Sequence, residues 1–263
     1  MTADRLPLEA TLRAARDGGR KLLVPYVTGG MDDHWRTTLQ AMADGGADAV
    51  EVGIPFSDPV MDGPTIQATS ANALARGTTP ASVLSELRDV DAGVPLVVMT
   101  YYNLVYRPGV ERFAQQLVGA GVSGAIVPDI PLEEADPWCE AAAGCGVDTV
   151  LLAAPTASDE RLARICARAR GFVYGVSLLG TTGERDRLSP TAVSIAKRLK
   201  ATTDLPVIVG IGISTPEQAV EVCDAGADGV VVASAIMRRL LAGEPPEAAG
   251  ESVAAIRAAL DRG

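Results

Sequence analysis

Gly46-Ala-Asp-Ala-Val-Glu-Val-Gly53 decides the fold, because the chain repeats its form three more times. The other copies are Gly121-Val-Ser-Gly-Ala-Ile-Val-Pro128, Gly146-Val-Asp-Thr-Val-Leu-Leu-Ala153 and Gly226-Ala-Asp-Gly-Val-Val-Val-Ala233. Each begins with a glycine of the kind that stops a helix and runs directly into a short apolar strand. Working outward from these phrases, eight apolar runs stand at residues 22–28, 47–53, 95–101, 124–129, 149–154, 172–177, 206–212 and 229–233. They are rich in Val and Ile, and most lack alternation with polar residues, the pattern of strands buried on both faces of a parallel sheet.

Helix-length segments separate the runs. Residues 32–44, 64–76, 108–120 and 132–143 each end at a glycine. Thr79-Pro80 and Ser189-Pro190 place proline at a first helical position. Residues 158–170 open on Ser158 with two acids behind it, and Thr215-Pro-Glu-Gln218 has the spacing of a capping box. Residues 234–241 follow the eighth run, and Gly243-Glu-Pro-Pro246 leads to an amphipathic segment at 248–260. Strict alternation over about 250 residues predicts a (β/α)8 TIM barrel. It carries an additional N-terminal helix ending at Gly18-Gly19 and an additional C-terminal helix. A doubly wound open sheet is the alternative. No composition break divides residues 1–263, so one domain is expected.

At 263 residues with 48% apolar and 21% charged residues, the chain has the makings of an ordinary globular core. No apolar run reaches the length of a membrane span, and the N-terminus lacks the continuous apolar core of a secretory signal. A net charge of −10 argues against a general nucleic-acid or anionic-membrane binder. A phosphate ligand would need a local site of backbone N–H groups. The cysteines (Cys139, Cys145, Cys166, Cys223) are scattered, which speaks for reduced thiols in a cytoplasmic protein rather than a metal site. His34, the single histidine, has no second histidine and no Ser–acid arrangement around it, so it reads as a surface residue.

The chemistry gathers in Glu51-Val-Gly-Ile-Pro-Phe-Ser-Asp-Pro-Val-Met-Asp-Gly-Pro-Thr-Ile-Gln67. Glu51 lies within the second strand, flanked by Val50 and Val52, so it should point into the barrel mouth. A desolvated carboxylate there has its pKa raised into the general acid–base range. Asp62 follows on the next loop. Two acids so placed can converge on one small molecule, although spacing alone leaves open a strand-end acid and a solvated loop acid with no joint role. Barrels bind ligands where strands end, here at Thr28, Glu51, Tyr101, Asp129, Tyr174, Gly212 and Ser234. Residues 177–187 have the glycines and threonines of a mobile cover. Gly210-Ile-Gly212 with Ala233-Ser234 at a helix start suits a phosphate site.

Glu51 to Pro59, followed by Asp62-Gly-Pro-Thr-Ile-Gln67, closely resembles the signature of the tryptophan synthase α subunit family. The likeness continues through Pro25–Thr28, Met99–Asn103, Pro128–Pro131, Thr182-Gly183, Gly210–Ser214 and residues 229–236. It implies a (β/α)8 barrel and cofactor-free, metal-free retro-aldol cleavage of indole-3-glycerol phosphate to indole and glyceraldehyde 3-phosphate. By the same likeness Glu51 is the proton shuttle and Asp62 the acceptor of the indole N–H. Tyr26, Tyr101 and Ile211 would sandwich the indole, Tyr174 would line the site, and Thr182 would close the sixth loop onto Asp62. Backbone N–H groups of Gly183, Gly212, Ala233 and Ser234 would hold the phosphate. Asp58 and Pro59 would face a β subunit that carries pyridoxal phosphate, in an α2β2 assembly. The sequence departs from the family pattern at Ala233, usually glycine, and at Leu178-Leu179 in the sixth loop. A stand-alone lyase releasing free indole and a catalytically weak barrel serving as an allosteric partner are the alternatives.

Overall fold

The Val- and Ile-rich runs form strands because β-branched side chains pack well on a pleated surface that is covered from both sides. A computed structural model describes residues 5–176, 190–210 and 212–262. The elements run α1 (Leu8–Asp17), β1 (Leu22–Thr28), α2 (Trp35–Asp44), β2 (Val50–Gly53), α3 (Pro64–Ala75), α4 (Pro80–Leu87) and β3 (Leu96–Met99). Next come α5 (Tyr102–Tyr106), α6 (Val110–Gly119), β4 (Val122–Ile126), a 3-10 turn at Leu132–Glu134, α7 (Asp136–Gly144), β5 (Asp148–Ala153), α8 (Asp159–Arg168) and β6 (Val173–Val176). The chain finishes with α9 (Pro190–Lys200), β7 (Val207–Gly210), α10 (Pro216–Asp224), β8 (Gly229–Val232), α11 (Ser234–Leu241) and α12 (Glu247–Leu260).

All eight strands are parallel and join in sequence order, and β8 pairs with β1 to close the barrel. The expected strands are present, most of them shorter than the apolar runs. Residues 47–49 belong to the turn before β2, and α5 was not expected at all. The capping box at Thr215 and Gln218 is formed, as is the cap of Ser158 on Arg161 N–H, and a further box joins Thr79 and Ser82.

At two of the four repeated phrases the third residue is an aspartate that fixes the start of the strand before it. Asp48 N–H donates to the Leu23 carbonyl at 2.9 Å, and the Asp48 carboxylate accepts from Leu23 N–H at 2.8 Å. Asp228 treats Val207 the same way, at 2.8 Å in both directions. Each aspartate therefore grips both backbone groups at the start of the preceding strand, which fixes register at the barrel floor. Ser123 instead donates to the Leu6 carbonyl. Asp148 accepts from Glu9 N–H at 2.9 Å, so a side chain 139 residues away caps the first turn of α1. Glu9 returns the contact by accepting from Gly171 N–H at 3.0 Å.

Capped in this way, α1 lies across the barrel floor. Its Leu8 and Leu12 join Leu22, Val24, Ala49, Val97, Val150, Phe172, Ile208 and Val231 in the interior core. A second apolar layer packs the outer strand faces against the helices. Helix α12 packs on α2 with Gly45 against Gly250, where an added methyl would strike backbone oxygen. Its buried Arg257 reaches Asp48 and the Lys21 carbonyl at the floor. With the floor sealed, the opposite end of the barrel is left for a site.

Candidate active site

Register carries the inward-facing residues around the mouth. Tyr26 pairs with Glu51, and Glu51 with Val97. Met99 stands opposite Ile126, and Leu152 opposite Tyr174. Tyr26, Glu51, Met99, Ile126, Leu152 and Tyr174, with Met61, Asp62 and Ile66 from the β2–α3 segment, Pro128, Val231 and Ala233, enclose a pocket of about 530 Å3, its open mouth included. Most of the described wall is aliphatic or aromatic, and among the described residues Glu51 and Asp62 are the acids set into it.

Glu51 is 2% exposed and Asp62 is 5% exposed. Burial, and then the charge of Asp62, raise the Glu51 carboxyl from 4.5 to about 8. Burial raises Asp62 from 3.8 to about 6, against a hydrogen bond from Tyr101 that lowers it. Asp62 therefore ionises first, and its charge then opposes ionisation of Glu51. Near neutral pH the pocket holds one carboxylate and one carboxylic acid. Glu51 Oε2 is buried with no hydrogen-bond partner among the described residues. A buried unpartnered oxygen is destabilising, and facing a pocket it is available to a ligand.

Three tyrosines ring the acids. Burial, and then the charge of Asp62, push the Tyr26 hydroxyl well above its usual range. Burial, and then Glu51, do the same at Tyr174. Both rings lean across the next strand onto a glycine. A methyl at Gly53 would overlap the Tyr26 hydroxyl, and one at Gly210 would overlap that of Tyr174. In each case the glycine lies two residues beyond the tyrosine's strand partner (Glu51 and Ile208). The Tyr26 hydroxyl accepts from Thr28 at 3.1 Å, and Thr28 and Thr69 hydroxyls lie 2.7 Å apart, tying β1 to α3. Tyr101 donates to Asp62 at 3.2 Å.

The structure thus brings Glu51, Asp62, Tyr26, Tyr101 and Tyr174 together. Gly212 has φ +91°, a conformation glycine adopts freely. Ala233 precedes α11, and buried Ser234 opens it, so the first N–H groups of that helix lie beyond its own ladder. Asp58 is exposed and Pro59 half-buried on the β2–α3 loop, beside Val60, which is 71% exposed. Thr182, Gly183 and Ile211, and with them the sixth loop, fall outside the described residues. Sequence reading missed Met99, Ile126, Leu152 and Val231. Once register gives the partners of Glu51, counting alternate residues along each strand leads to them. His34 is exposed, Trp138 is buried, and Cys139, Cys145, Cys166 and Cys223 are unpaired. Among the described residues no helix is long and apolar enough to cross a membrane.

A closed parallel (β/α)8 barrel whose C-terminal mouth holds a pocket with two buried acids has the architecture of the barrel enzymes. Comparison with known proteins narrows this class. The family model described as tryptophan synthase alpha chain matches residues 12–260. The tryptophan synthase alpha chain of Thermobifida fusca is 47% identical over 240 residues, 89% of this chain and 88% of that one. That of Streptomyces avermitilis is 44% identical over 260 residues, 97% and 94% of the two chains. A Mycobacterium tuberculosis tryptophan synthase structure superposes with a TM-score of 0.89 at 36% identity over 98% of each chain. The alpha chain from Legionella pneumophila gives a TM-score of 0.85 at 34% identity over 97% of each. The chain belongs to the tryptophan synthase alpha chain family, the lyases that act on indole-3-glycerol phosphate in tryptophan biosynthesis.

Proposed function

We propose that Glu51 and Asp62 divide the work of a retro-aldol cleavage between them, with the whole chain acting as one cytoplasmic domain. Indole leaves well from carbon once C3 of its ring is protonated. Glu51, uncharged near neutral pH, gives its proton to C3. Asp62, already ionised, accepts a hydrogen bond from the indole N–H and stabilises the positive charge that spreads to that nitrogen. The bond between C3 and the adjacent glycerol carbon then breaks, its electron pair returning to the ring. The Glu51 carboxylate takes the proton of the hydroxyl on that carbon, which becomes the aldehyde of glyceraldehyde 3-phosphate. One proton enters and one leaves, so Glu51 ends as it began.

Tyr26, Tyr101 and Ile211 would flank the indole, and Tyr174 would line the pocket beside Glu51. Thr182 would close onto Asp62. Backbone N–H groups of Gly183, Gly212, Ala233 and Ser234 would receive the phosphate, aided by the α11 dipole. The exposed loop at Asp58 and Pro59 would meet a β subunit that holds pyridoxal phosphate and consumes the indole, in an α2β2 complex. This chain would use no cofactor of its own. The observation that carries the reading is the pair of buried acids with pKa values pushed apart across one apolar pocket.

The test is indole release from indole-3-glycerol phosphate by the purified chain, with and without a tryptophan synthase β subunit. Slow release that rises on adding β supports the assignment. Fast release unaffected by β would make the chain a stand-alone lyase. No release from folded protein in either condition would refute the catalytic roles.

A further inference from the structure

Tyr101, two residues beyond β3, holds the β2–α3 loop from within. Phe56 stacks on the Tyr101 ring, centroids 4.9 Å apart and planes 24° off parallel. Met61 N–H donates to the Tyr101 hydroxyl at 3.0 Å, and that hydroxyl donates onward to Asp62 Oδ2 at 3.2 Å. A phenol has one proton to give. With Met61 filling an acceptor position, the proton is directed at Asp62. One buried side chain therefore holds both arms of the β2–α3 loop, Phe56 on one side and Met61-Asp62 on the other. The loop's outer surface is bare, with Val60 71% and Met61 41% exposed, so its hold on the barrel is concentrated on the inner face.

We infer that Tyr101 is the positioning residue for Asp62, its hydroxyl aiming the carboxylate and its ring fixing the loop that carries it. The inference rests on the reading of Asp62 as acceptor of the indole N–H. A carboxylate pinned through Oδ2 has its plane set, and its other oxygen follows. Among the described residues, the ionisable groups facing Asp62 besides Tyr101 are Glu51 from β2, Tyr26 from β1 and Tyr174 from β6. Behind Tyr101 lies Asp129, which accepts from Tyr102 N–H at 2.8 Å. The Tyr101 hydrogen bond favours the charged form of Asp62, so removing it should make Asp62 easier to protonate.

Tyr101→Phe keeps the ring and its stacking on Phe56 and removes only the hydroxyl. For a lost hydrogen bond to a charged group, kcat should fall about tenfold or more while KM changes little. The acid limb of the pH–rate profile should move to higher pH. Carboxyl-carbon NMR, with Asp62 identified by the signal lost in Asp62→Asn, should show the same upward move of its titration. A raised KM with kcat, acid limb and Asp62 titration all unchanged would overturn the inference and leave Tyr101 a pocket wall. If the wild type released no indole, the proposed reaction would fall, and the NMR titration would still decide whether Tyr101 governs Asp62.

Discussion

Glu51→Gln should stabilise the fold while removing its chemistry, and the gain should grow with pH. Folded Glu51 holds its proton up to about 8, against 4.5 for an exposed glutamate. Between those values the native state binds more protons than the unfolded state, so stability is full below the lower value and falls as pH rises through the window. The slope is about 1.4 kcal/mol per pH unit. From pH 5 to pH 8 the wild type should therefore lose roughly 3 to 4 kcal/mol through this group, a large share of a typical folding free energy. Glutamine has no proton to lose and shows no such slope. Asp62, raised to about 6, contributes a smaller fall in both proteins that largely cancels in the comparison. Urea unfolding followed by far-ultraviolet circular dichroism, at unit steps from pH 5 to 8, measures the difference. The two proteins should be close at pH 5 and separate by about 3 kcal/mol at pH 8. A constant offset across the range would refute the claim that burial holds Glu51 neutral.

In the free enzyme, kcat/KM should peak between about pH 6 and pH 8, falling below as Asp62 gains a proton and above as Glu51 loses one. A rate profile flat across this range would contradict the division of roles. Asp62→Asn should lower kcat/KM by roughly two orders of magnitude or more with an unchanged circular dichroism spectrum. Gly210→Ala should displace the Tyr174 ring, reducing indole release and lowering stability by about 1 to 3 kcal/mol; thermal melts and steady-state rates read both. Asp148→Ala removes the cap of α1 and should cost about 1 kcal/mol, visible as faster amide exchange in residues 8–17 than in the strands.

The barrel was legible because strands buried on both faces alternate with helix-length segments, and four of the units share a helix-stopping glycine running into the strand. The start of β2 was read at Ala47 rather than Val50 because Ala47-Asp-Ala49 runs straight into the strand's apolar residues. What ends the turn is the Asp48 side chain on Leu23, a contact between residues 25 apart that no local pattern carries. Helix α5 was invisible because Tyr-Asn-Leu-Val-Tyr has no capping side chain and only five residues. Glu51 and Asp62 could be found from a carboxylate inside an apolar strand and a second on the loop after it. The aliphatic wall could not, since Met99, Ile126 and Leu152 look like any core residue until register shows which face they occupy. The lean of Tyr26 and Tyr174 onto Gly53 and Gly210 depends on neighbouring strands in the same way.

The capping of α1 also constrains the order in which the molecule is assembled. A ten-residue helix is marginal alone in water. The groups that hold this one, Asp148 and Gly171, leave the ribosome long after it does, and so does Phe172, which shares the floor with Leu8 and Leu12. Helix α1, made before the barrel strands, is thus obliged to wait for the second half of the barrel. Until β5 and β6 are made, Leu8 and Leu12 have no floor to close, and the nascent chain carries them as an apolar surface open to chaperones.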